Sequence, residues 1–510
     1  MKTSVLFAYS GRRSVLVALA LICLVGLATR MPYIAMPAVW IDESFSIFYA
    51  AKGLKAIWGR DWLVDPTPPA FYSLLAAWEH VFGVSEPALR TLSLLLTCVT
   101  AMNLFFIGRL LRSTPAGIFS ALLWLLMPLS MEYSLEIRAY ALQQIFLSGF
   151  MLALGVLLRR HTAASQADRA FVAQGLLATV LALLAFYTHV TSLFAILGLT
   201  LATLVFFAAK KHVPAIRICL WCGLVFAIGS APQVWASYHV VVANGETLAW
   251  LPAGTLSWIM WTLRSLFIGG TNLSGVLKGL ILTAWALALL KGLASFNGDR
   301  AARMLLVVGP LSGILLLVIF SLFIPILLPR TILWATAPLA VLAGIGIASL
   351  SVFISAPIMV LSAVGLLLLG QAKMEQRALW RSDYRALQHV AERDANALAA
   401  TVDGERACIM AFYGQFSGRV RLLDLEDKQV FKRTQKVELG CNDPPPLRVN
   451  EMRRRLIAGE TIWILGSTDP SDERQVEIFK LSESLAGVAR ITEHIDEAGF
   501  FAARFEAAQP

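Results

Sequence analysis

Residues 87–110, "PALRTLSLLLTCVTAMNLFFIGRL", carry charge only at Arg90 and Arg109, close to the two ends. A run of this length crosses the hydrocarbon core of a bilayer as a helix, because a helix pairs every backbone N–H and C=O internally where no water can do so. Working outward in both directions, the same pattern recurs as apolar blocks of about 18–22 residues separated by short polar stretches. The blocks fall at 14–30, 115–131, 139–158, 171–189, 191–209, 216–235, 273–290, 304–324, 331–350 and 356–370. With 87–110 they make about eleven predicted spans.

Composition agrees with the blocks. The 510 residues are 57% hydrophobic and 15% charged, with a mean hydropathy of +0.68. A soluble globular domain carries about 25% charge, so the chain reads as an α-helical polytopic membrane protein. The blocks stop near residue 370, and the remainder of the chain reads as a soluble α/β domain. Residues 371–510 hold 20 Lys and Arg against 22 Asp and Glu, whereas the first 370 hold 23 against 11. The whole basic surplus therefore lies in the membrane part, where loop charge sets topology. That excludes a nucleic-acid surface as its purpose.

The strongly basic segments, "MKTSVLFAYSGRR", "GRLLRS", "RRHTAASQADR", "KKHVPAIR" and "KGLASFNGDRAAR", all fall on one side of this span pattern. The positive-inside rule makes that side cytoplasmic. A cleaved signal peptide competes for the N-terminus, but no small-x-small site follows promptly and spans continue, which favours a retained anchor. The other face receives residues 31–86, "MEYSLEIRAY", "YTHVT", "SYHVVVANGETLAW", "IPILLPR" and the C-terminal domain. The loop 31–86 is too long for a connector. Phe45, Phe48, Tyr49 and Lys52 fall on one side of a helix there, and Phe71, Leu74, Leu75, Trp78 and Phe82 form a second apolar stripe. Both suit helices lying in the interface, and Pro68 and Pro69 suit the start of the second.

Polar residues gather on that outer face: Asp42, Glu43, Asp65, Glu86, Arg90, Glu132, Glu136, Arg138, His189, His239 and Arg330. Ionisable groups at membrane depth are costly and mark function, while anchoring and snorkelling are the plainer roles. Asp42 taken alone favours capping of a helix beginning near Ser44. Cys219 and Cys222 lie inside an apolar block and read as small core residues. Cys408 and Cys441 share the C-terminal domain, and both a disulfide and two free thiols fit their spacing. No His, Cys and Asp cluster has metal-ligand spacing.

Five pieces stand in order at the outer ends of spans: "WIDESFS" (40–46), "DPTPPAFYSLLAAWEHVFGVSEPALR" (65–90), "PLSMEYSLEIRAYAL" (128–142), "YTHVTSLF" (187–194) and "PRTILWATAPLAVLAG" (329–344). With them the chain resembles the GT-C glycosyltransferases, in the bacterial protein O-mannosyltransferase-like and lipid A aminoarabinose-transferase-like branch. The resemblance implies a membrane domain over 1–370 and a periplasmic domain over 371–510 in the inner membrane. It also implies transfer of a sugar from a polyprenyl monophosphate to a lipid, glycan or protein acceptor. Asp42 matches the acidic motif, with Glu43 beside it. Arg138, Arg330 and His189 are the implied donor-phosphate contacts, and Glu136, Tyr133, Tyr140, Pro69 and Tyr72 the implied substrate contacts. Two positions depart from the pattern: Thr331 stands where many relatives have Tyr, and "YTHVT" has His where some have Lys.

The residue types suit that chemistry. A carboxylate accepts the proton of a poor hydroxyl nucleophile, and guanidinium groups grip the departing phosphate through paired hydrogen bonds. Two or three basic residues suffice for a monophosphate, so no obligatory divalent metal or cofactor is expected. A transporter would place ionisable groups near mid-membrane and show internal repeats; neither is seen. In the C-terminal domain, "YRALQHVAERDANALAATV" (384–402) has helical spacing, while "RACIMAF" (406–412), "ETIWILG" (460–466) and "FFAARFE" (500–506) read as strands.

Overall fold

The computed structural model describes residues 12–59, 61–63, 67–161, 169–243, 251–252, 254–269 and 275–381, and then 384–385, 387–388, 394, 397–401, 407–414, 420–424, 447–467, 481, 485–497 and 500–508. Contacts divide the chain into two units. One comprises Met1–Ile34 and Ala56–Gln376; the other comprises Ala35–Lys55 and Arg377–Pro510. The predicted boundary at residue 370 thus differs from the contact boundary in one respect that matters: a piece of the first long loop belongs with the C-terminal unit.

The first unit is helical. Nine helices among the described residues are long and apolar enough to cross a membrane: Arg13–Tyr33, Glu86–Leu111, Tyr140–Arg160, Arg169–Thr188, Ser192–Ala209, Val213–Val240, Gly275–Ala294, Arg300–Ser321 and Val352–Leu379. The shorter apolar helices Thr114–Leu126 and Leu333–Ala348 account for the other two predicted spans, and Leu256–Ile268 is an apolar helix that the span pattern omits. Large apolar side chains on these helices face outward, with Phe353 91% and Trp221 67% exposed. Water would not tolerate that surface; lipid covers it. Inside, backbones meet at glycine. A Cβ on Gly346 would overlap Ala288 O, and one on Gly198 would overlap Gly309 O. Small residues at such crossings let apolar helices pack closely where no hydrophobic force drives them together.

Pro69 opens the helix Pro69–Phe82, as predicted. Its buried face is Pro69, Phe71, Tyr72 and Leu75, while Phe82 is exposed. The apolar stripe is therefore turned from the predicted one, with Tyr72 inside in place of Phe82. The reason is local: Trp78 donates its indole N–H to Ala88 O at 2.8 Å and stacks on Phe82, which ties that side to the following turn.

The second unit carries a six-stranded sheet: β1 (Leu398–Thr401), β2 (Arg421–Asp424), β3 (Leu447–Arg448), β4 (Ile462–Ser467), β5 (Ala489–Glu497) and β6 (Phe500–Ala507). The order is β3-β2-β1-β4-β6-β5. Strands β3, β2, β1 and β4 are parallel, whereas β6 and β5 are antiparallel. Ile464 stands between Ala400 and Ala503, and with Ile462, Phe505, Met452 and Leu456 it forms the core under the helix Val449–Ile457. This confirms an α/β unit with two corrections. "RACIMAF" is not a strand; it lies in the helix Ala407–Gly414, where Ile409, Met410 and Tyr413 are buried at i, i+1 and i+4. A short unbroken apolar run does not distinguish helix from strand. Residues 398–401, predicted helical, form β1.

Candidate functional site

The helix Thr114–Leu126 ends because Pro128 comes next but one. Proline lacks an N–H and pushes its predecessor out of the helical region, and Met127 is extended at φ −60, ψ 136. A short helix Pro128–Tyr133 and a turn then lead to the helix Tyr140–His161. Arg30 reaches across this break to one carbonyl and two serine hydroxyls, of which Ser134 Oγ also donates to Met131 O at 2.8 Å. Its Nε donates to Ser134 Oγ at 2.7 Å, and its Nη2 donates to Leu125 O at 2.7 Å and to Ser130 Oγ at 3.2 Å. Arg30 is fully buried. From the other side, Ser93 Oγ donates to Glu136 O at 2.6 Å. The segment that bears Tyr133, Glu136 and Arg138 is thus fixed at both ends.

Around it the first unit brings together most of the predicted phosphate and substrate residues. The Tyr133 and Tyr140 rings meet edge to face at 5.1 Å, and Tyr140 lies 5.5 Å from His189. Arg138 donates to Thr67 Oγ1 at 3.1 Å. Arg138 and Arg330 both act electrostatically on His189. Burial first, then these two charges, push the imidazole down to about 3, so the ring is neutral at physiological pH. Its Nδ1 accepts the Thr191 N–H at 3.3 Å and lies 2.8 Å from Thr191 Oγ1, which leaves the ring proton on Nε2. Burial, then Glu132 and Glu136, push the Tyr133 phenol well above its usual value, with Arg330 opposing them. Tyr133 and His189 are therefore neutral hydrogen-bond donors, and the cations are the arginines.

Arg330 rides on a loop held by its neighbour. The Thr331 hydroxyl lies 2.8 Å from Ile326 O and 2.9 Å from Leu328 O, and it accepts the Leu328 N–H at 2.8 Å. Trp258, from the helix absent from the span pattern, donates to Leu327 O at 2.7 Å. Sequence reasoning missed Trp258, Thr67 and Arg30.

Other predicted residues stand elsewhere. Glu86 pairs with Arg90 at 3.3 Å, and Arg90 also donates to Ile34 O, so this pair joins chain segments. Glu132 pairs with Lys373 at 3.5 Å. Pro69 and Tyr72 are buried on a helix that packs against Glu86–Leu111 and Arg169–Thr188. His239 is exposed beside Trp235. Asp65 and the Cys408–Cys441 question lie outside the described side chains. Among the described residues, no group of three or more His, Cys, Asp or Glu side chains could hold a metal ion.

The acidic motif belongs to the second unit. Trp40 is extended, and the helix Ile41–Ala51 starts immediately after it, placing Asp42 and Glu43 in the first turn where the helix dipole favours anions. The helix begins three residues earlier than predicted, so Asp42 is not its cap. Glu43 takes that role, accepting the Trp40 N–H at 3.3 Å. Glu43 is fully buried and pairs with Arg381 at 2.8 Å. Asp42 is half-buried. The helix buries Glu43, Ser44, Ser46, Ile47, Tyr49 and Ala50 and packs against Ala407–Gly414, whereas Phe45 and Phe48 are only half-buried. It is a packed helix of this unit, and of the stripe predicted from Phe45, Phe48, Tyr49 and Lys52 it buries Tyr49.

No protein-family profile matches the chain, and no curated protein matches it by sequence. Solved structures do match in fold. ArnT from Cupriavidus metallidurans bound to undecaprenyl phosphate superposes at a TM-score of 0.61 and 13% identity, over 97% of this chain and 98% of that one. The arabinofuranosyltransferase AftD from Mycobacteria gives 0.55 at 16% identity, over 98% of this chain and 40% of that one. The Archaeoglobus fulgidus oligosaccharyltransferase in its apo form gives 0.51 at 11%, over 80% and 65%. At these identities the likeness is one of fold: the chain folds as these proteins do, with the apolar helices of a multi-pass membrane protein.

Proposed function

We propose that this GT-C-fold membrane protein is an inverting glycosyltransferase that moves a sugar from a polyprenyl monophosphate to an acceptor hydroxyl outside the bacterial inner membrane. The one-sided distribution of basic loops supports an N-terminus in the cytoplasm, with the polar cluster and the C-terminal unit in the periplasm. The observation that carries the reading is the ring cluster that joins Tyr133, Tyr140 and His189, with the charges of Arg138 and Arg330 acting on that histidine. Two guanidinium groups and two neutral donors make a cradle suited to a phosphate monoester. The likeness to ArnT, solved with undecaprenyl phosphate bound, supports a lipid phosphate as its occupant.

Asp42 is the base. It accepts the acceptor hydroxyl's proton as the oxygen bonds to the anomeric carbon and the bond from that carbon to the phosphate oxygen breaks. A single displacement inverts the anomeric centre. Arg138 and Arg330 stabilise the charge that develops on the departing polyprenyl phosphate, with Nε2–H of His189 and the Tyr133 hydroxyl as further donors. The guanidinium charges serve in place of a metal. Glu43 is fully buried and holds Arg381 and the Trp40 N–H, whereas Asp42 is half-buried and so more open to an acceptor, which supports Asp42 over Glu43 as the group that takes the proton. The acceptor is lipid A, a polysaccharide, a glycolipid or a protein.

The test is sugar transfer in vesicles from defined polyprenyl-phosphate donors, comparing the wild type with Asp42→Asn. Transfer by the wild type and its loss in the variant support the reading. Wild-type turnover by a folded Asp42→Asn protein removes the base. Lipid movement without sugar transfer makes the protein a transporter.

A further inference from the structure

The segment Ala35–Ala51 lies early in the chain, between the first and second spans, yet its hydrogen bonds run to residues more than three hundred positions later. Arg385 Nη2 donates to Ala35 O at 2.7 Å, and Val39 N donates to Tyr413 Oη at 2.8 Å. Arg381 does most. Its Nη1 donates to Ala38 O at 2.9 Å and to Glu43 Oε2 at 2.8 Å, using both hydrogens of one guanidinium nitrogen. The same guanidinium lies over the Trp40 ring, 5.2 Å from its centroid, where an aromatic face attracts a cation. Glu43 in turn accepts the Trp40 N–H.

Residues 38, 40 and 43 are therefore gathered around one cation, and Asp42 lies between them in sequence, with Arg381 touching Trp40 before it and Glu43 after it. The pair is buried, with the Arg381 side chain 8% and Glu43 0% exposed. A buried, hydrogen-bonded guanidinium is a poor surface anchor and a good clamp, because its planar fork fixes direction as well as charge.

From this we propose that Arg381 is a positioning residue for Asp42, and that the C-terminal unit is the platform that presents the acidic motif. The inference rests on Asp42 being the base. It gives the C-terminal unit a role in the chemical step, beyond covering the membrane part or recognising a partner. Lysine at 381 keeps the charge but loses the fork and the stacking, so Arg381→Lys falls between the wild type and Arg381→Gln.

The experiment uses the full-length protein in lipid nanodiscs and two readouts, transfer kinetics and hydrogen exchange of the peptide spanning residues 36–46. In Arg381→Gln, kcat drops by about 10²-fold, the loss expected when a reacting group is displaced by about 1 Å. The KM for the lipid-phosphate donor stays within about twofold, since uniform binding is untouched, and exchange in 36–46 rises while the rest of the chain keeps its protection. Arg381→Lys recovers part of kcat and part of the protection. Wild-type kcat in Arg381→Gln overturns the proposal, as does a loss carried by KM alone. If Arg381→Gln loses protection throughout the chain, Arg381→Lys decides: lowered kcat with unchanged KM supports positioning, and wild-type kcat overturns it. If the wild type transfers no sugar from any donor, the functional reading fails first. The exchange readout then still judges the clamp, and unchanged protection of 36–46 in Arg381→Gln overturns it.

Discussion

Arg30 donates from Nε to Ser134 Oγ at 2.7 Å, joining positions 104 residues apart in the chain. With Leu125 O and Ser130 Oγ on the same guanidinium, one buried side chain closes the helix break that Pro128 imposes. The next turn carries Tyr133, Glu136 and Arg138, so a cation with no place in the proposed chemistry sets where the residues proposed to meet the phosphate stand.

Removing Arg30 therefore acts on stability first. Arg30→Met fits the apolar surroundings in length but takes the donors from Leu125 O and Ser130 Oγ and leaves Ser134 Oγ only its bond to Met131 O, for a loss of about 2–3 kcal/mol. The transition midpoint in detergent, followed by intrinsic fluorescence, falls well below that of the wild type, and Arg30→Lys lies between them. Equal midpoints for wild type and Arg30→Met contradict the role assigned to Arg30.

The two carboxylates of the acidic motif separate by readout. Asp42→Asn keeps the shape of a half-buried side chain and gives up only a first-turn charge, so stability falls by less than about 1 kcal/mol while kcat falls by about 10²–10⁴-fold, the contribution of a positioned general base. Glu43→Gln leaves Arg381 buried without its counter-charge, and the protein loses about 3 kcal/mol of stability, the lower end for a broken buried pair because the amide still accepts the Trp40 N–H. Reversed outcomes, with Asp42→Asn unstable and Glu43→Gln stable, would exchange the two roles.

The spans were legible because hydropathy is local, and each predicted block coincides with a helix. Leu256–Ile268 was not legible, since 13 residues are too few for a span and Arg264 interrupts them. Local patterns also left the helix Ala407–Gly414 open to a strand reading. The start of Ile41–Ala51 was misplaced by three residues, and that small shift exchanges the capping roles of Asp42 and Glu43. Arg30 and Arg381 were the deeper omissions, since each acts on partners far away in sequence. A signal for Arg30 did exist. It stands at the end of its span opposite the basic segments, where the positive-inside pattern leaves an arginine unexplained. Arg138 and Arg330 carry the same signature.

His189 gives a pH dependence with a definite sign. Burial and then Arg138 and Arg330 hold it near 3 in the folded protein, whereas an unfolded histidine titrates near about 6.5. Between those values the unfolded chain binds the extra proton, so stability falls as pH drops from about 6.5 towards 3. His189→Gln has no such group. Its midpoint therefore declines less than that of the wild type between pH 7 and 4, and parallel declines would show that His189 is not held neutral.

Thr331 is where the sequence departs from the motif of the family it resembles, and the structure gives it other work. Its hydroxyl ties Ile326 O, Leu328 O and the Leu328 N–H into the loop that ends at Arg330. Thr331→Val keeps the branched shape and removes the hydroxyl, so the part-buried Leu328 N–H loses this acceptor at a cost of about 1 kcal/mol. The loop loosens, and Arg330 with it. Stabilisation of the departing phosphate should then weaken more than binding of the intact donor, because charge accumulates on that oxygen only as the bond breaks. Thr331→Val thus lowers kcat more than it raises KM for the lipid donor, and Thr331→Ser, which restores the hydroxyl, returns most of kcat. Arg330→Gln sets the floor at about a 10²–10³-fold loss, the range for deleting one transition-state donor. If Thr331→Val matches the wild type in kcat while Arg330→Gln does not, Arg330 is held by its other neighbours, with Trp258 on Leu327 O the next bond to cut.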